Sequence, residues 1–511
     1  MVILGNIIKT ALEFTDKVIP AYTPVKDQKE MLPYLLRKAR DTAFGRHYQF
    51  EKLLQEPNIR QAFSQAVPYH DYESIHQRWW KRQMEGEANV AWPGLPKYYA
   101  VTAGTTGVEN KRIPATDDML EAIRKASLLQ ILAMANFDLP APFFEKEVMM
   151  LGGTTTLTKR GFYEEGEISG IAAANIPQWF MRFYRPGRQI SDITDWDEKV
   201  DIIARKAPEW DIGSMAGIPS WNELMLKRVI EVNKVDTIHD IWPNFRVFAS
   251  GGVAFSPYRK TFDSLSGKPL TYIDTYLASE GFIAFQTRPN DEMAMALATN
   301  SGLYFEFIPF ESENMDEEGG IRQGAPSLTL EQVQEGVDYV LVVSSVAGAW
   351  RYMIGDTIRF TSKQKAEIVI SGRTRHYLNV AGTKLSDRQM NSVIRHLEEA
   401  FGLLIPEYTV TAIREEQGYV HHWYLGIEGR ADDNELAQAL DQYLKSINKS
   451  YSNARNHAMK TIRLSSVSPG VFYAWNEQEQ KKGGQVKMPR VMKEEEFARW
   501  RDFAAKANGQ F

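Results

Sequence analysis

The sequence predicts an α/β fold with β-sheets flanked by helices, followed by a smaller α+β domain. Runs of β-branched and aromatic residues that end in Gly, Asp or Ser alternate with segments of helical periodicity. This alternation is typical of α/β proteins. The 511 residues are 43% hydrophobic and 24% charged, which is typical of folded globular proteins. A chain of this length usually forms two or three domains.

The predicted elements follow one another along the chain. Apolar residues recur at helical spacing in residues 4–14, 29–50 and 117–137. Between the last two segments, WPGLPKYYAVTAGTTG changes to Pro and Gly around a short apolar run, which predicts a strand leading into a glycine-rich loop. Further strands are predicted at FRVFAS, PLTYIDTYLA, GLYFEFIPF and VDYVLVVSSVAGAWRYMIGD.

A change in pattern near residue 373 predicts a domain boundary. Beyond it come a predicted strand pair, YTVTAIREEQ and YVHHWYLGIEG, the helical segment NELAQALDQYLKSINKSYSNAR, and the strand TIRLSSV. About 130 residues are enough for a separate small domain. The sequence therefore predicts a large domain at 1–372 and a small α+β domain at 373–511.

Composition excludes several classes of function. A net charge of −5 gives no reason to expect nucleic acid as a partner. The absence of Cys excludes disulfides, thiolate catalysis and zinc–thiolate sites. The sequence has no run of about 18 uncharged apolar residues, so no membrane span is predicted. The N-terminus lacks a signal-peptide pattern. The predicted compartment is the cytoplasm.

The segment TAGTTGVENK at 102–111 is the first candidate site. Glycines permit close backbone approach, hydroxyls and successive N–H groups form a cradle for an anion, and a lysine adds positive charge. The sequence has no Walker A, H-E-x-x-H, G-x-S-x-G or G-x-G-x-x-G motif, so this is a phosphate loop of another kind. A purely structural turn is the alternative. The candidate phosphate-binding residues are Thr102, Gly104, Thr105, Thr106, Gly107 and Lys111.

Two further candidates follow predicted strands. Gly251-Gly252 comes after FRVFAS, and the motif Tyr276-Leu277-Ala278-Ser279-Glu280 ends the next strand. A tyrosine there offers a flat face to a purine, and the carboxylate four residues later can bind Mg²⁺ through oxygen. The alternative is a tyrosine of the core and a glutamate of the surface.

The remaining candidates lie nearer the C-terminus. Asp356 follows a glycine turn in WRYMIGD, where a carboxylate can accept hydrogen bonds from both ribose hydroxyls. Arg373 begins the boundary motif RTRHYLNV, and Lys487 follows Gly483-Gly484. An ordinary turn aspartate and a solvated lysine are the alternatives.

The order of these motifs resembles that of the adenylate-forming superfamily. Within it, the closer similarity is to the Gretchen Hagen family of acyl-acid amido synthetases and extends from about residue 41 to 492. The segments that carry it are TAFGRHYQF, VPYHDYESI, WPGLPKYYAVTAGTTGVENKRIPAT, YLASEGFIAFQ, LYFEFIPF, AGAWRYMIGDTIRF, SGRTRHYLNVAGTKLSD and QVKMPRVM. In this sequence Ala103 stands where the family or superfamily often has Ser.

The resemblance implies an α/β adenylate-forming domain with a mobile small domain and an AMP-forming ligase activity. ATP and Mg²⁺ would be required, with a small carboxylic acid and an amino acid as substrates. Lys487, Glu280 and Lys111 would be catalytic, Glu280 acting on Mg²⁺ held by ATP. The residues implied to bind ATP or AMP are Thr102, Gly104, Thr105, Thr106, Gly107, Gly251, Gly252, Tyr276, Ser279, Asp356 and Arg373.

Two alternatives stay open: thioester formation with CoA or a carrier, and a non-catalytic nucleotide or acyl binder. The presence of Lys111, Glu280, Asp356 and Lys487 disfavours the binder. The acyl pocket is expected between the phosphate loop and the helices of residues 115–220, with Met215–Gly217 as candidate lining. A hinge for the small domain is expected near Arg375.

Overall fold

The computed structural model describes residues 23–507 except 103–110, 152–156, 177, 179, 253–254, 256–257, 312, 317–318, 375–384, 386, 416–417, 430, 449–450, 453–454, 456–458, 479–487 and 493. The described residues group into two compact units. Those of the first lie within 1–254 and 263–370, and those of the second within 255–262, 371–482 and 486–511. The short segment 255–262 therefore packs with residues that follow it by more than a hundred positions.

Short helices form the first part of the first unit. Their local starts are specified by capping side chains: Thr42 accepts a hydrogen bond from the Gly45 amide, and Asp71 and Ser74 form a reciprocal capping box. Gln28 of the first helix bonds three backbone groups at 299–305, which fixes that helix on the sheet. The helices are Pro24–Ala39, Ala43–His47, Phe50–Leu53, Ile59–Ala66, Tyr72–Ile75 and Lys81–Met84, with a π-helix at His76–Trp80.

A large mixed sheet forms the core of the first unit. Its strands are β3 (Glu147–Leu151), β6 (Tyr184–Arg185), β7 (Ile212–Gly217), β8 (Val247–Gly251), β9 (Thr271–Ala278), β10 (Gly281–Phe285), β11 (Met295–Leu297), β12 (Leu303–Pro309), β13 (Asp338–Ser345), β14 (Tyr352–Ser362) and β15 (Glu367–Arg373). Their spatial order is β12-β13-β14-β15-β11-β10-β9-β8-β7-β3-β6. Pairing is parallel from β6 to β9 and antiparallel for β9–β10, β10–β11, β11–β15, β14–β13 and β13–β12.

Helices connect and cover the parallel strands, because parallel neighbours require crossover connections. Apolar side chains of these helices, such as Met119, Ile203 and Met225, are fully or almost fully buried. The helices are Asp117–Ala133, Ile168–Ala174, Arg188–Ser191, Trp196–Lys206, Pro219–Asn233 and Arg259–Leu265, with 3₁₀ turns at Met134–Asn136, Ala141–Glu145, Ala207–Glu209 and Ile238–Asp240.

A second, four-stranded sheet carries the glycine-rich segment. It contains β1 (Tyr98–Thr102), β2 (Lys111–Ala115), β4 (Thr158–Arg160) and β5 (Tyr163–Gly166) in the order β2-β1-β5-β4. β1 and β2 are antiparallel neighbours, with Thr102 opposite Lys111. The predicted strand before the phosphate loop is thus β1.

The second unit is a small α+β structure. β16 (Glu407–Glu415), β17 (Gly418–Gly426) and β18 (Met459–Val467) form one sheet in that order. The helices are Asp387–Phe401, Asp433–Ile447, Pro469–Gln478 and Glu494–Ala507. Two buried apolar clusters hold them, one around Trp423 and Leu440 and the other around Phe472 and Trp500.

The predicted fold class is confirmed, and the predicted strands in FRVFAS, PLTYIDTYLA and GLYFEFIPF correspond to β8, β9 and β12. The helix predicted at 4–14 lies outside the described residues. No helix among the described residues is long and apolar enough to cross a membrane. The domain limits 1–372 and 373–511 stay a prediction.

Candidate active site

Tyr276 and Asp356 are in direct contact, although 80 positions separate them in the sequence. The Tyr276 hydroxyl, on β9, donates a hydrogen bond to the Asp356 carboxylate, on β14. Both side chains are buried. A carboxylate has about four lone-pair positions, so Asp356 can accept this bond and still accept from ribose hydroxyls. The fold therefore brings together the residues predicted for adenine and for ribose.

Gly251 and Gly252 lie at the same edge of the sheet as Tyr276. Parallel pairing places Gly251 beside Thr275, and a Cβ at Gly251 would lie 3.4 Å from the Thr275 carbonyl oxygen. Gly252 has a φ of +84°, a conformation that side chains rarely adopt. In open α/β sheets, ligands bind at the carboxyl ends of parallel strands. This edge, where β8 and β9 end, is such a place.

Glu280 lies in the turn between β9 and β10, beside Tyr352 at the start of β14. Glu280 and Tyr352 are both buried, and the Glu280 charge acts on the Tyr352 hydroxyl. Burial, with the nearby Glu280 charge, raises the pKa of Tyr352 well above its ordinary value. Tyr352 therefore stays protonated at neutral pH. Ser279 lies in the same turn.

Lys111 is connected to Tyr352 through the aromatic side chains of Tyr72 and Trp80. Its ammonium nitrogen lies 5.6 Å from the centre of the Tyr72 ring, a cation–π distance. Tyr72 packs on Trp80 with ring centres 6.1 Å apart, and Trp80 packs on Tyr352 at 5.6 Å. Lys111 and Glu280 thus belong to one connected group of side chains.

The strand that begins with Lys111 is fixed by neighbouring charges. The Arg112 guanidinium donates to Glu165 at 2.7 Å, and Arg160 donates to the other oxygen of the same carboxylate at 2.9 Å. Burial raises the pKa of Glu165, but hydrogen bonds from the two arginines outweigh that effect, so the pKa lies below its ordinary value. The backbone N–H of Arg112 also donates to the Tyr72 hydroxyl at 3.0 Å.

A buried ion pair anchors the start of β14. Arg351 has a φ of +42°, and its guanidinium donates to the Glu306 carboxylate at 3.1 Å and to the carbonyls of Ser64 and Val67 at 2.7 Å. The side chains of Arg351 and Glu306 are only 4% and 2% exposed. These contacts hold the segment from which Tyr352 and Asp356 extend.

Asp274 is a further acidic group on this part of β9. It lies two residues before Tyr276, so both side chains are on the same face of the strand. Burial raises the pKa of Asp274 to about 7, against a smaller lowering by the hydrogen bond from the Thr275 amide.

The structure brings together Gly251, Tyr276, Glu280 and Asp356 in the first unit, and places Lys111 in the same side-chain group as Glu280. Thr102 ends β1, Arg373 ends β15 within the second unit, and Met215–Gly217 end β7. Gly104, Thr105, Thr106, Gly107, Lys487 and Arg375, near which a hinge is predicted, lie outside the described residues.

Tyr72, Tyr352 and Asp274 are the residues that sequence reasoning missed. Tyr72 and Tyr352 lie in VPYHDYESI and WRYMIGD, two segments that carry the family resemblance. Neither segment gives a local signal of the side chain that its tyrosine contacts. Asp274 had a signal, since an aspartate interrupts an otherwise apolar predicted strand.

The described residues of the candidate site suit a nucleotide together with a magnesium ion that is bound mainly through the nucleotide. Among the described residues, no group of three or more His, Asp and Glu side chains is placed to hold a metal. A single buried carboxylate, Glu280, suits Mg²⁺ that receives its other ligands from phosphate oxygens and water. The absence of side chains at Gly251 and Gly252 and the acceptor at Asp356 suit a nucleoside.

Domain models of one family match this chain in three places. The N-terminal domain model of the GH3 family matches residues 22–185, the central domain model 296–373 and the C-terminal domain model 388–496. These ranges include the strands that carry Lys111 and Asp356.

Curated relatives align with part of the chain. A stretch of 255 residues is 28% identical to indole-3-acetic acid-amido synthetase GH3.8 of Oryza sativa subsp. indica and covers 45% of this chain and 40% of that protein. A stretch of 250 residues is 27% identical to jasmonoyl–L-amino acid synthetase JAR4 of Nicotiana attenuata, covering 46% and 42%. Each alignment thus spans less than half the length of the relative.

Solved structures match nearly the whole chain. The GH3.15 acyl acid amido synthetase superposes with a TM-score of 0.79 at 17% identity, over 98% of this chain and 96% of that one. A 2-hydroxyisobutyryl-CoA ligase in complex with 2-HIB-AMP gives 0.60 at 12% identity, over 96% and 93%. The fold is that of adenylate-forming enzymes. Because the three domain models match in order and together cover more than half of the residues, the chain belongs to the GH3 (Gretchen Hagen) family.

Proposed function

We propose that this protein is an ATP-dependent ligase that adenylates a small carboxylic acid and transfers the acyl group to an amino acid, releasing AMP and pyrophosphate. The observation that carries the proposal is the contact of Tyr276 with Asp356, which unites the predicted adenine and ribose residues. Family membership and the amido synthetase relatives support the amide product. We also propose that the reaction takes place in the cytoplasm.

Activation precedes amide formation because a carboxylate is a poor electrophile. A carboxylate oxygen of the acid attacks the α-phosphorus of ATP, and the bond from that phosphorus to the bridging oxygen breaks as pyrophosphate leaves. The amine nitrogen then attacks the acyl carbon, the bond to AMP breaks, and the amine loses its proton. The first step thus gives the acyl carbon a good leaving group, AMP, in place of oxide, and the second step uses it.

The first step concentrates negative charge on the phosphates, and pre-placed positive groups are suited to stabilise it. Bound Mg²⁺ would neutralise phosphate charge. Glu280, beside Tyr352, would hold that ion. Lys111 and the segment with Gly104, Thr105, Thr106 and Gly107 would surround the phosphates, with Thr102 at its start.

The remaining roles concern the nucleoside and the α-phosphate. Asp356 would accept from the ribose hydroxyls and Arg373 would assist there, while the Tyr276 ring would contact adenine beside Gly251, Gly252 and Ser279. Lys487 would reach the α-phosphate from the small domain, which would be mobile between the two steps with a hinge near Arg375. Met215–Gly217 would line the acyl pocket from the end of β7.

The test is a product assay that resolves masses. The protein is incubated with ATP, Mg²⁺ and pooled carboxylic acids, with and without pooled amino acids or CoA. An amide mass together with AMP, formed only when acid and amino acid are both present, is expected. A thioester mass would instead establish the acyl-CoA alternative. Absence of AMP in every mixture, with ATP binding intact, would favour a non-catalytic binder.

A further inference from the structure

The segment Met488–Met492 of the second unit is fixed along β16. Four hydrogen bonds connect it to three consecutive residues of that strand. They join Val410 N to Arg490 O (2.9 Å), Met492 N to Val410 O (2.9 Å), Thr409 Oγ1 to Pro489 O (2.8 Å) and Thr411 Oγ1 to Met492 O (2.8 Å). Met488 and Met492 are also buried in the cluster around Trp500. The chain is therefore held in place from Met488 onward.

A carboxylate at the start of β16 binds this segment from the side. Arg490 donates to Glu407 at 2.7 Å, and Tyr258 donates to the other Glu407 oxygen, also at 2.7 Å. Arg490 also donates to the Tyr408 carbonyl at 3.2 Å and lies 4.5 Å from the centre of the Tyr408 ring. A planar guanidinium held at several points has little freedom to move.

The hydrogen bond from Tyr258 is the second bond that fixes the Glu407 carboxylate. It belongs to the segment 255–262, which packs in the second unit but follows Gly251-Gly252 by only a few residues in the chain. Glu407 thus accepts one hydrogen bond from Tyr258, which follows Gly251-Gly252 in the sequence, and one from Arg490, which follows Lys487. Both neighbouring motifs have proposed roles at the nucleotide.

We infer that Arg490, through its ion pair with Glu407, is a positioning residue for Lys487. In the sequence, Lys487 directly precedes the anchored segment Met488–Met492. Placing a catalytic group in advance removes part of the entropy cost of the reaction, and a misplacement of about 1 Å can lower a rate about 100-fold. The inference rests on the proposed function of Lys487 in adenylation.

The first test compares the two half-reactions in Arg490→Met and Glu407→Gln. Adenylation is followed by acid-dependent pyrophosphate exchange into ATP, and amide formation by adding the amino acid to chemically prepared acyl-adenylate. We expect kcat for adenylation to fall about 10- to 100-fold, with KM for ATP within about twofold and amide formation nearly unchanged. Equal losses in both half-reactions would overturn the inference.

The second test combines Arg490→Met with Lys487→Ala. If Arg490 acts through Lys487, the double variant should adenylate no more slowly than Lys487→Ala alone, since interacting residues are non-additive. An additional tenfold loss in the double variant would contradict the inference, as would a Lys487→Ala variant with normal adenylation. A wild-type protein that forms no AMP would instead overturn the proposed function.

Arg455→Met is the matched control for stability. Arg455 donates to Asp441 at 2.7 and 2.9 Å within the same unit, and its side chain is 13% exposed, against 19% for Arg490. This pair does not touch Met488–Met492 by any described hydrogen bond. Both variants should lower the unfolding midpoint of the second unit, but only Arg490→Met should slow adenylation. A similar loss of adenylation in Arg455→Met would show that general destabilisation explains the effect.

Discussion

The two halves of the large sheet contribute to the candidate site in different ways. The parallel half contributes residues at or just beyond strand ends: Gly251 and Gly252 after β8, and Glu280 after β9. The antiparallel half contributes Asp356 from the interior of β14, where no strand end marks it. The general rule for α/β sheets locates the first group, whereas only contacts in three dimensions locate the second.

The halves also differ in how their acidic groups are stabilised. Glu306 in the antiparallel half is buried against Arg351. In the parallel half, burial raises the pKa of Asp274, and a hydrogen bond from one backbone amide offsets that rise only in part. Removing a partner should therefore cost most in the antiparallel half. Changes of pH should act most strongly on Asp274.

The largest expected effect is on stability, in Arg351→Met. The change leaves the Glu306 carboxylate buried without its cation, and breaking a buried pair typically costs about 3–5 kcal/mol. Urea unfolding of the first unit should show that loss. The exposed pair of Lys29 with Glu331, 2.9 Å apart, is the control: Lys29→Met should change stability by less than about 1 kcal/mol. Equal effects of the two variants would contradict the comparison.

The next effect is on adenylation, in Asp356→Asn. An amide presents one acceptor oxygen in place of two, so it binds the ribose and Tyr276 less well. We expect kcat/KM for ATP to fall about 100-fold, the size typical of losing one pre-placed group. The control is Asp338→Asn. Asp338, on the neighbouring strand β13, pairs with Arg359 of β14, and its replacement should leave kcat/KM for ATP within about twofold. A normal rate in Asp356→Asn would exclude the ribose role.

Asp274→Asn should alter the pH dependence of stability. The pKa of Asp274 is raised by burial from 3.8 to about 7, so the folded state keeps its proton to higher pH than the unfolded state. Wild-type stability therefore loses about 1.4 kcal/mol per pH unit between those values from this group. The free energy of unfolding of the variant relative to wild type should rise from pH 4 to 7 and then level off. A difference that is constant with pH would contradict the assignment.

The smallest effect is expected for Tyr276→Phe, which keeps the ring and removes the bond to Asp356. A hydrogen bond to a charged group contributes about 1.5–3 kcal/mol, and the remaining ribose contacts would recover part of it. We expect about a tenfold loss in kcat/KM for ATP. An unchanged value would mean that Tyr276 acts only through its ring.

Much of the fold was predictable because strands and helices depend on local pattern. The alternation of apolar runs with helical segments gave β8, β9 and β12, and it gave the small α+β part. Motifs in the sequence also indicate four residues of the candidate site: Gly251, Tyr276, Glu280 and Asp356.

The contacts themselves were not predictable from one sequence. Nothing local indicates that Tyr276 reaches Asp356, that Tyr352 lies near Glu280, or that segment 255–262 packs with the second unit. These depend on strand order and on chain paths between distant elements, which hydrophobic periodicity does not encode. The roles of the loop with Thr105 and of Lys487 stay predictions.

The most direct measurement follows oxygen from the acid to AMP. A carboxylic acid that supports amide formation is labelled with ¹⁸O in both carboxyl oxygens, and the AMP released with the amide is examined by mass spectrometry. Attack of the carboxylate on the α-phosphorus predicts one ¹⁸O in the phosphate of AMP and none in pyrophosphate. Unlabelled AMP, or ADP and labelled inorganic phosphate in its place, would contradict activation through an acyl-adenylate.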